Sequence, residues 1–529
     1  MNRIKVRKVS VLLAVIILAI PLIAHASAYP NLPNDQRNYG YEGNDFEFDG
    51  SVIPRNANLD NGNMNEGNEE FFCELRQEMR EFLVAEFGYE FLYNQDAALE
   101  TVEELYIFFT NTYGEEIVYP DYFGGKYINE YGHLVLLKVE SWDRGHDEMK
   151  TFHYFPDTLI KEVEFPYNKL VDVMDLIDDR VIDWIAKKEV SLNNDCKKQE
   201  YYGRYFLSSP VPLHMHNVAR WSLDTVENRI IISLIEYGPE AVEEFRNHIL
   251  DSPTLLFEQN SLERLCLMPE QSFTSMDDTQ PPKEYIEGIT RTSSNPILPG
   301  DRIKVWRETP QGNFWVRDNN FRGAIGYRAI MVRTILPGIE TREYGFVTAA
   351  HIGAYDRNRV PQLLHNDAIV CRDNFIIGRV SMSILNGRDV AFVRLNNPNR
   401  ISRLGNDIGN GQGTTGGVRG QAVAMRGGFF GWSMGEIRET RVGSINFPSP
   451  CAFQPPVVIT NASRTTIRAF HGDSGSPVFV ENANRQITAV HGIMIGRMTD
   501  EITNVTYSYV SRADGIRNIM SGLEIRPRN

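Results

Sequence analysis

The sequence is poor in cysteine and has no pattern that binds a metal ion. The five cysteines of the 529-residue chain are Cys73, Cys196, Cys266, Cys371 and Cys451. Structural zinc sites place cysteines or histidines at short, regular spacings, and these five have none. His214 and His216 form a short pair, but no further ligand residue near them completes a site. We therefore expect no metal ion and no cofactor.

Long apolar runs are also missing, except at the start of the chain. Residues Val9 to Ile23 are apolar, follow a basic start and precede small residues that end at Ala28. This order is typical of a secretory signal peptide over residues 1–28; a permanent membrane anchor is the alternative. The run is short for a membrane-spanning helix, so we expect a secreted, extracellular protein with no stable membrane anchor.

Secretion would permit disulfide bonds. An odd number of cysteines leaves at least one thiol over unless two chains are cross-linked. Cys371 and Cys451 both lie in the C-terminal part of the chain and are the expected pair. Isolated buried thiols remain the alternative for these two residues.

Lysine is almost absent from the C-terminal part of the chain. Residues 291–529 contain 29 Lys+Arg and 18 Asp+Glu, a net charge of +11, and Lys304 is the only lysine. The first 290 residues contain 25 Lys+Arg and 51 Asp+Glu, a net charge of −26. Opposite charges of this size would steer the two parts together. The arginines are scattered and no nucleic-acid motif is present, so we expect no nucleic-acid partner.

Composition divides the chain further. Residues 29–70 are rich in Asn, Gly and Asp, which predicts a disordered linker. Residues 71–267 form the acidic part and mix helical and strand-like patterns. Residues 268–294 have Pro, Ser, Thr and acidic side chains with little periodicity, which predicts an exposed connector. Residues 295–529 have short apolar runs between Gly, Asn and Pro, which is typical of an all-β barrel or sandwich.

Within residues 71–267 the patterns predict an α+β region. Apolar residues recur at helical spacing up to Phe87, and a second helix is expected near Leu99 to Thr110. Two strand-like runs flank Asn129-Glu130-Tyr131-Gly132 and predict a hairpin. The later expectations are a strand over Asn228 to Ile235, a helix over Glu240 to Leu250 and a strand over Thr254 to Glu258. Near the chain end, Ile516 to Leu523 is expected to form a short helix.

Three separate segments of the C-terminal part carry the residues of a nucleophilic site. Ser474 lies in His-Gly-Asp-Ser-Gly-Ser-Pro, His351 ends Val-Thr-Ala-Ala-His, and Asp389 lies in Gly-Arg-Asp-Val-Ala-Phe. A serine hydroxyl is a weak nucleophile that needs an adjacent base. A histidine that a carboxylate holds in one tautomer supplies that base. Each residue alone has an ordinary structural explanation, but all three together predict a Ser-His-Asp triad.

These segments resemble the chymotrypsin-like serine proteases, and in particular the alpha-lytic-protease-like bacterial branch. The resemblance covers about residues 295–529 and implies an all-β, chymotrypsin-like double six-stranded β-barrel, preceded by an α+β pro-region. It implies that Ser474 is the nucleophile, His351 the general base and Asp389 the group that orients the histidine. It further implies that the backbone N–H groups of Gly472 and Ser474 form the oxyanion hole. Ser476 replaces the second glycine that many members have.

The same resemblance assigns supporting and specificity residues. In the alpha-lytic-like branch an arginine pairs with the acid before the nucleophile, which here would be Arg426 with Asp473. A surface position for Arg426 is the alternative. Arg468 takes the position at the base of the primary specificity pocket, and Ile495 and Arg497 lie in the strand that forms another wall. Arginines there would favour Glu or Asp before the scissile bond, whereas an outward-pointing Arg468 would leave an apolar pocket.

The acidic region resembles the pro-region of alpha-lytic-like zymogens, in its Gly-Gly-Lys-Tyr-Ile-Asn-Glu-Tyr-Gly-His hairpin and its Asn-Arg-Ile-Ile-Ile-Ser-Leu run. The resemblance implies that this region assists folding and inhibits the protease from within the same chain. The expected function is a secreted serine endopeptidase, made as a zymogen, that acts on protein or peptide substrates. The alternative is a catalytically silent protease fold that serves binding or adhesion.

Overall fold

The computed structural model describes most of the chain after residue 78. The described residues are 79–113, 119–140, 155, 158–196, 217–260, 297–308, 315–316, 322–336, 339–354, 369–372, 375–385, 387–397, 417–428, 431–446, 457–470, 472–481, 488–499, 505–520 and 522–524. The predicted signal peptide, linker and connector lie outside these residues, and so do the side chains of all five cysteines. The expected disulfide bond therefore stays a prediction.

The N-terminal half of the acidic region packs helices against a small sheet. Residues 79–87 are helical, and Gly88, with φ of 82°, ends this helix before α1 (Tyr89–Tyr113) begins. Glycine permits this left-handed conformation without strain. The sheet contains β1 (Phe123–Ile128), β2 (Leu134–Val139) and β3 (Leu159–Val163). The antiparallel pair β1–β2 confirms the predicted hairpin.

The C-terminal half of the acidic region repeats this mixture. Helix α2 (Tyr167–Cys196) precedes β4 (Val218–Asp224) and β5 (Arg229–Leu234), and α3 (Pro239–His248) then leads to β6 (Leu255–Gln259). The pair β5–β6 is parallel, which requires a crossover such as α3. A common apolar core joins α2 to the strands, with Leu170, Met174, Trp221 and Ile232 fully or almost fully buried. These elements confirm the strand, helix and strand predicted between residues 228 and 258.

The first β-barrel closes through six strand positions. Its elements are β7 (Arg302–Glu308), β8 (Trp315–Val316), β9 (Arg322–Ala324), β10 (Arg328–Leu336), β11 (Ile339–Thr348), β12 (Ile369–Arg372), β13 (Phe375–Ile384) and β14 (Val390–Leu395). Strand β9 pairs with β7 and continues into β10, so the order β7–β9/β10–β11–β14–β13–β12 returns to β7. Helix α4 (His351–Ala354) follows β11, and β21 (Leu523–Glu524) extends the sheet beside β10.

The second barrel is also six-stranded and fully antiparallel. Its strands are β15 (Ala422–Gly427), β16 (Gly431–Asn446), β17 (Val457–Thr465), β18 (Pro477–Glu481), β19 (Thr488–Thr499) and β20 (Thr506–Arg512). The order β15–β18–β19–β20–β17–β16 closes because β15 also pairs with β16. Helix α5 (Ala513–Ile519) follows β20, so the expected terminal helix lies three residues earlier than its pattern suggested. The fold is therefore a chymotrypsin-like pair of six-stranded barrels behind an α+β region.

The acidic region joins the second barrel by strand pairing. Strand β4 pairs antiparallel with β16, so β4, β5 and β6 extend the sheet of the second barrel. The backbone N–H of Ile128 in β1 also donates to the carbonyl of Arg419 just before β15, at 2.7 Å. Within the described residues, no helix has the length and apolar character needed to span a bilayer.

Candidate active site

The three residues of the expected triad lie at the ends of strands in the two barrels. His351 opens α4 directly after β11, and Asp389 immediately precedes β14; both belong to the first barrel. Ser474 lies in the turn between β17 and β18 of the second barrel. Because β11 and β14 are neighbours in one sheet, their ends place His351 next to Asp389. The structure thus brings together three residues that are up to 123 positions apart.

A chain of hydrogen bonds links these side chains. His351 Nδ1 lies 2.5 Å from Asp389 Oδ2, and His351 Nε2 lies 2.9 Å from Ser474 Oγ. The backbone N–H of His351 also donates to Asp389 Oδ1 at 2.9 Å, so both carboxylate oxygens hold the histidine. A carboxylate can only accept, so Nδ1 carries the proton and Nε2 is free to accept from the serine.

The three hydrogen-bonded side chains differ in burial in a way that suits proton transfer. Asp389 is fully buried and His351 is 2% exposed, whereas Ser474 is partly exposed. The carboxylate is therefore kept from solvent, and the hydroxyl is the member of the set that an incoming molecule can reach. The arrangement can remove the serine proton as the hydroxyl attacks an electrophile.

Two glycines shape the turn around Ser474. Gly472 has φ of 95° and Gly475 has φ of 89°, conformations that other residues rarely adopt. A Cβ on Gly475 would lie 2.2 Å from Thr348 Oγ1, so this position also needs glycine for space. At Gly472 nothing lies within 4 Å of the corresponding point, so the backbone there borders open space. The oxyanion hole expected from Gly472 and Ser474 remains a prediction.

Asp473 and Arg426, the expected supporting pair, lie in adjoining parts of the second barrel. Asp473 is fully buried, and its Oδ2 accepts a hydrogen bond of 2.9 Å from the backbone N–H of Phe470. A Cβ on Gly427 would lie 2.7 Å from Asp473 Oδ1, so the backbone next to Arg426 contacts this carboxylate. Arg426 Nη1 donates to the carbonyl of Pro299 and lies 3.8 Å from Asp301 Oδ1. A direct pair between Arg426 and Asp473 stays a prediction.

The expected specificity residues occupy three different environments. Arg468 is exposed, Ile495 is fully buried, and Arg497 is partly exposed. Arg497 Nη1 donates to the carbonyl of Ala469 at 3.1 Å, and its guanidinium lies 6.0 Å from the ring of Phe470. Arg497 therefore contacts the segment that begins with Arg468.

No sequence pattern predicted the residues that join the acidic region to the second barrel. Arg220 of β4 is buried, and its Nη1 contacts both carboxylate oxygens of Glu439 on β16, at 3.2 and 3.1 Å. Arg464 also pairs with Glu439. Burial raises the pKa of Glu439, but the two arginines lower it by a larger amount, so the pKa lies below its usual value. The opposite net charges hinted at such contacts but could not identify them.

A second contact that no sequence pattern predicted involves Trp221, the residue after Arg220 on β4. The indole of Trp221 packs on Gly443 of β16, where a Cβ would lie 2.0 Å from the ring. Trp221 Nε1 donates to Asp178 of α2 at 2.6 Å. Burial raises the pKa of Asp178 to about 6, although Trp221 and the nearby Arg441 and Arg388 act in the opposite direction.

Comparison with known proteins identifies the acidic region. Residues 87–153 match the Pro-like N-terminal domain, and residues 168–260 match the Pro-like C-terminal domain. These ranges correspond to the two halves of the acidic region described above. They confirm the resemblance to a serine protease that bears a pro-region. No curated protein sequence matches the chain.

Several solved structures are similar to part of this chain. Cellulomonas bogoriensis chymotrypsin is 23% identical, covers 43% of this chain and 97% of its own, and has a TM-score of 0.27. Thermobifida fusca protease A is 21% identical, covers 44% of this chain and 99% of its own, and has a TM-score of 0.28. Nocardiopsis protease is 22% identical, covers 44% of this chain and 98% of its own, and has a TM-score of 0.29.

Proposed function

We propose that this chain, a pro-region-bearing member of the chymotrypsin-like serine proteases of the bacterial type, is a secreted endopeptidase made as a zymogen. The observation that carries the proposal is the hydrogen-bonded series Asp389–His351–Ser474, with 2.9 Å between the histidine and the hydroxyl. The buried carboxylate of Asp389 can hold the histidine, and the partly exposed hydroxyl of Ser474 can reach a substrate.

In the proposed reaction, Ser474 Oγ attacks the scissile carbonyl while His351 Nε2 accepts its proton. Asp389 keeps the imidazole in the tautomer that this step requires and stabilises the imidazolium that forms. The N–H groups of Gly472 and Ser474 would receive the negative charge that develops on the carbonyl oxygen. His351 then returns the proton to the leaving amine, and water completes hydrolysis of the acyl-enzyme by the same steps.

The acidic region is the proposed partner of the barrels before maturation. Strand pairing between β4 and β16, the buried Arg220–Glu439 contact and the Trp221–Gly443 contact all cross from one part to the other. Such a surface would both guide folding of the second barrel and hold the pro-region in place as an inhibitor. A pro-region that is removed by cleavage would leave β16 without this neighbour.

A fluorophosphonate probe tests the enzyme against the silent binding protein. We expect the mature protein to be labelled, and the Ser474→Ala and His351→Ala variants to lose activity by at least about 10⁴-fold. Substitution of Arg517, an exposed arginine on α5, is the control and should leave labelling unchanged. Absence of labelling in the wild type, or equal labelling of Ser474→Ala, would favour the silent alternative.

We further propose a preference for Glu or Asp before the scissile bond, supported by Arg497, which donates to the carbonyl of Ala469 directly after Arg468. A hydrogen bond to a charged group is worth ~2 kcal/mol, so Arg468→Gln should lower kcat/KM for a glutamyl peptide by about 10- to 100-fold. A leucyl peptide serves as the matched substrate and should be hydrolysed equally by both forms. A fluorogenic panel without any gain for Glu or Asp would refute the preference.

N-terminal sequencing of the secreted form tests the remaining proposals together. We expect the protein in the culture medium to lack residues 1–28, and the mature protease to begin within or just after the connector at 268–294. Glu284 and Glu287 lie in that connector and would permit self-cleavage. A mature form that begins inside β4 to β6 would contradict the proposed domain boundaries.

A further inference from the structure

The residue before Asp389 is a buried arginine that the reaction scheme leaves without a task. Arg388 is 9% exposed, and its Nη1 donates to the carbonyl of Gly387 at 2.8 Å and to Thr460 Oγ1 at 2.7 Å. The same nitrogen also donates to the carbonyl of Thr460. One guanidinium therefore holds its own loop and a strand that lies 72 residues away.

Backbone contacts tie the same loop to the same strand. The N–H of Gly387 donates to the carbonyl of Val458 at 2.8 Å, and the N–H of Thr460 donates to the carbonyl of Gly387 at 3.0 Å. Gly387 and Ile459 thus form an isolated parallel bridge. Asp389 belongs to the first barrel, whereas β17 belongs to the second barrel, which carries Ser474. The connection, which we call the Arg388–Thr460 brace, therefore spans the two barrels.

The surroundings of Arg388 leave it little freedom to move. A Cβ on Gly515 of α5 would lie 3.1 Å from its Nε and 3.2 Å from its Nη2, so the helix backbone packs against the guanidinium. Burial lowers the pKa of Arg388 to about 10, and the carboxylates of Asp178 and Asp514 partly offset this effect. A buried cation with several fixed hydrogen bonds is costly to keep, which suggests a task beyond packing.

The pro-region covers this brace from the other side. Ile182 of α2 approaches within 3.8 Å of the point where a side chain of Gly387 would begin. Asp178, one turn earlier on the same helix, acts on Arg388 through its charge and accepts from Trp221. The helix of the pro-region thus contacts the loop that carries Asp389.

We propose that Arg388 is a positioning residue, which fixes Asp389 and the attached His351 relative to Ser474 by tying the Asp389 loop to β17 through Thr460. The inference rests on the proposed function and deepens it. A triad whose members come from two barrels works only while the barrels keep their relative placement. The Arg388–Thr460 brace keeps the Asp389 loop of the first barrel in place relative to the second barrel.

Steady-state kinetics of the mature enzyme provide the first test. A displacement of about 1 Å can cost ~100-fold in rate, so Arg388→Gln should lower kcat by about 10- to 100-fold with little change in KM. Thr460→Val should have a smaller effect, because the carbonyl of Thr460 still accepts. Arg388→Lys should recover part of the loss, since lysine keeps the charge and donors. Arg342→Gln, an exposed arginine of β11, is the matched control and should behave as wild type.

Hydrogen exchange provides a second readout that does not require activity. In the full-length Ser474→Ala protein, Arg388→Gln should speed exchange in the peptide that contains Asp389 and the start of β14. Peptides from β18 and β19 and the Arg342→Gln control should keep the exchange of the parent protein. Should Arg388→Gln fail to fold, Thr460→Val and Arg388→Lys give the same comparison.

The outcomes separate the inference from the function on which it rests. Equal kcat in Arg388→Gln and wild type, or faster exchange throughout both barrels, would overturn the positioning role. A wild type that hydrolyses no peptide and takes up no fluorophosphonate would refute the proposed function. The exchange data would then still decide whether the Arg388–Thr460 brace holds the Asp389 loop.

Discussion

Replacement of Asp178 by asparagine should remove a pH-dependent weakness from the docked pro-region. Asp178 is 7% exposed and accepts a hydrogen bond of 2.6 Å from Trp221 Nε1. Burial is the main cause that raises its pKa from 3.8 to about 6; Trp221, Arg441 and Arg388 oppose this shift, and Asp175 adds to it. Asparagine keeps an acceptor for Trp221 but cannot ionise.

The magnitude follows from the shift of about two pKa units. One unit corresponds to ~1.4 kcal/mol, so ionisation of Asp178 costs the folded chain about 3 kcal/mol relative to the unfolded chain. The folded state binds this proton more tightly, so the favourable contribution is complete below about pH 4. It falls as the pH rises and is lost above about pH 6. The wild type should therefore lose about 3 kcal/mol more than Asp178→Asn between pH 4 and pH 7.

Denaturant unfolding and tryptophan fluorescence of the full-length Ser474→Ala protein measure this difference. The fluorescence of Trp221 should titrate with a midpoint near pH 6, and the transition should disappear in Asp178→Asn and Trp221→Phe. Asp172→Asn is the control, because Asp172 is an exposed carboxylate on the same helix. A parallel pH dependence in wild type and Asp178→Asn would refute the reasoning.

Three further predictions concern glycine and charge at the contacts described above. Gly443→Ala should weaken pro-region docking by about 1–3 kcal/mol, since its Cβ would overlap the Trp221 ring; pull-down of the separated pro-region after cleavage measures this. Glu439→Gln should destabilise the zymogen by about 3–5 kcal/mol in denaturant unfolding. The effect should exceed that of Arg220→Met, because only Glu439→Gln leaves the buried Arg220 and the partly buried Arg464 facing each other. Gly475→Ala should abolish fluorophosphonate labelling, because both its φ of 89° and the space around it exclude a side chain. An equal effect of Glu439→Gln and Arg220→Met, or normal labelling of Gly475→Ala, would contradict these expectations.

The sequence predicted those features that short segments encode. The hairpin of β1 and β2 follows from two strand-like runs around Asn129 to Gly132. Short apolar runs with turn residues between them predicted an all-β barrel or sandwich, and the double barrel was implied by the family resemblance. His351, Asp389 and Ser474 could be predicted to form a triad because each lies in a short motif of its own. The structure then places these motifs side by side.

Contacts between distant segments could not be predicted in this way. The Arg220–Glu439 pair joins residues 219 positions apart, and Arg388 reaches Thr460 across 72 positions. No local pattern marks such partners, because a buried arginine and an exposed one look alike in a single sequence. The sequence around Asp389 does contain one usable signal. Arg388 directly precedes Asp389, whose carboxylate is expected to be buried, so a sequence reader can expect Arg388 to need partners of its own.

A few arginines of the barrels make contacts that a lysine could not make. Arg512 donates to the carbonyl of Thr440 and to Asn461 while it also pairs with Asp514, and Arg464 pairs with Glu439 over the ring of Tyr507. A guanidinium offers five donors in a rigid plane, whereas an ammonium offers three at one point. Lysine could not make such divergent contacts from a single position.

The same chemistry links the charge difference along the chain to the docking surface. Arg419 pairs with Asp224 and Arg441 pairs with Asp175, so basic groups of the second barrel meet acidic groups of the pro-region. Both pairs keep between 13% and 55% of each side chain exposed, so water still screens them and they serve orientation more than stability. The contacts of Arg220 and Trp221 are buried, which makes them the larger source of specificity. Long-range attraction would therefore bring β4 to β16, and only the correct register lets Trp221 settle on Gly443.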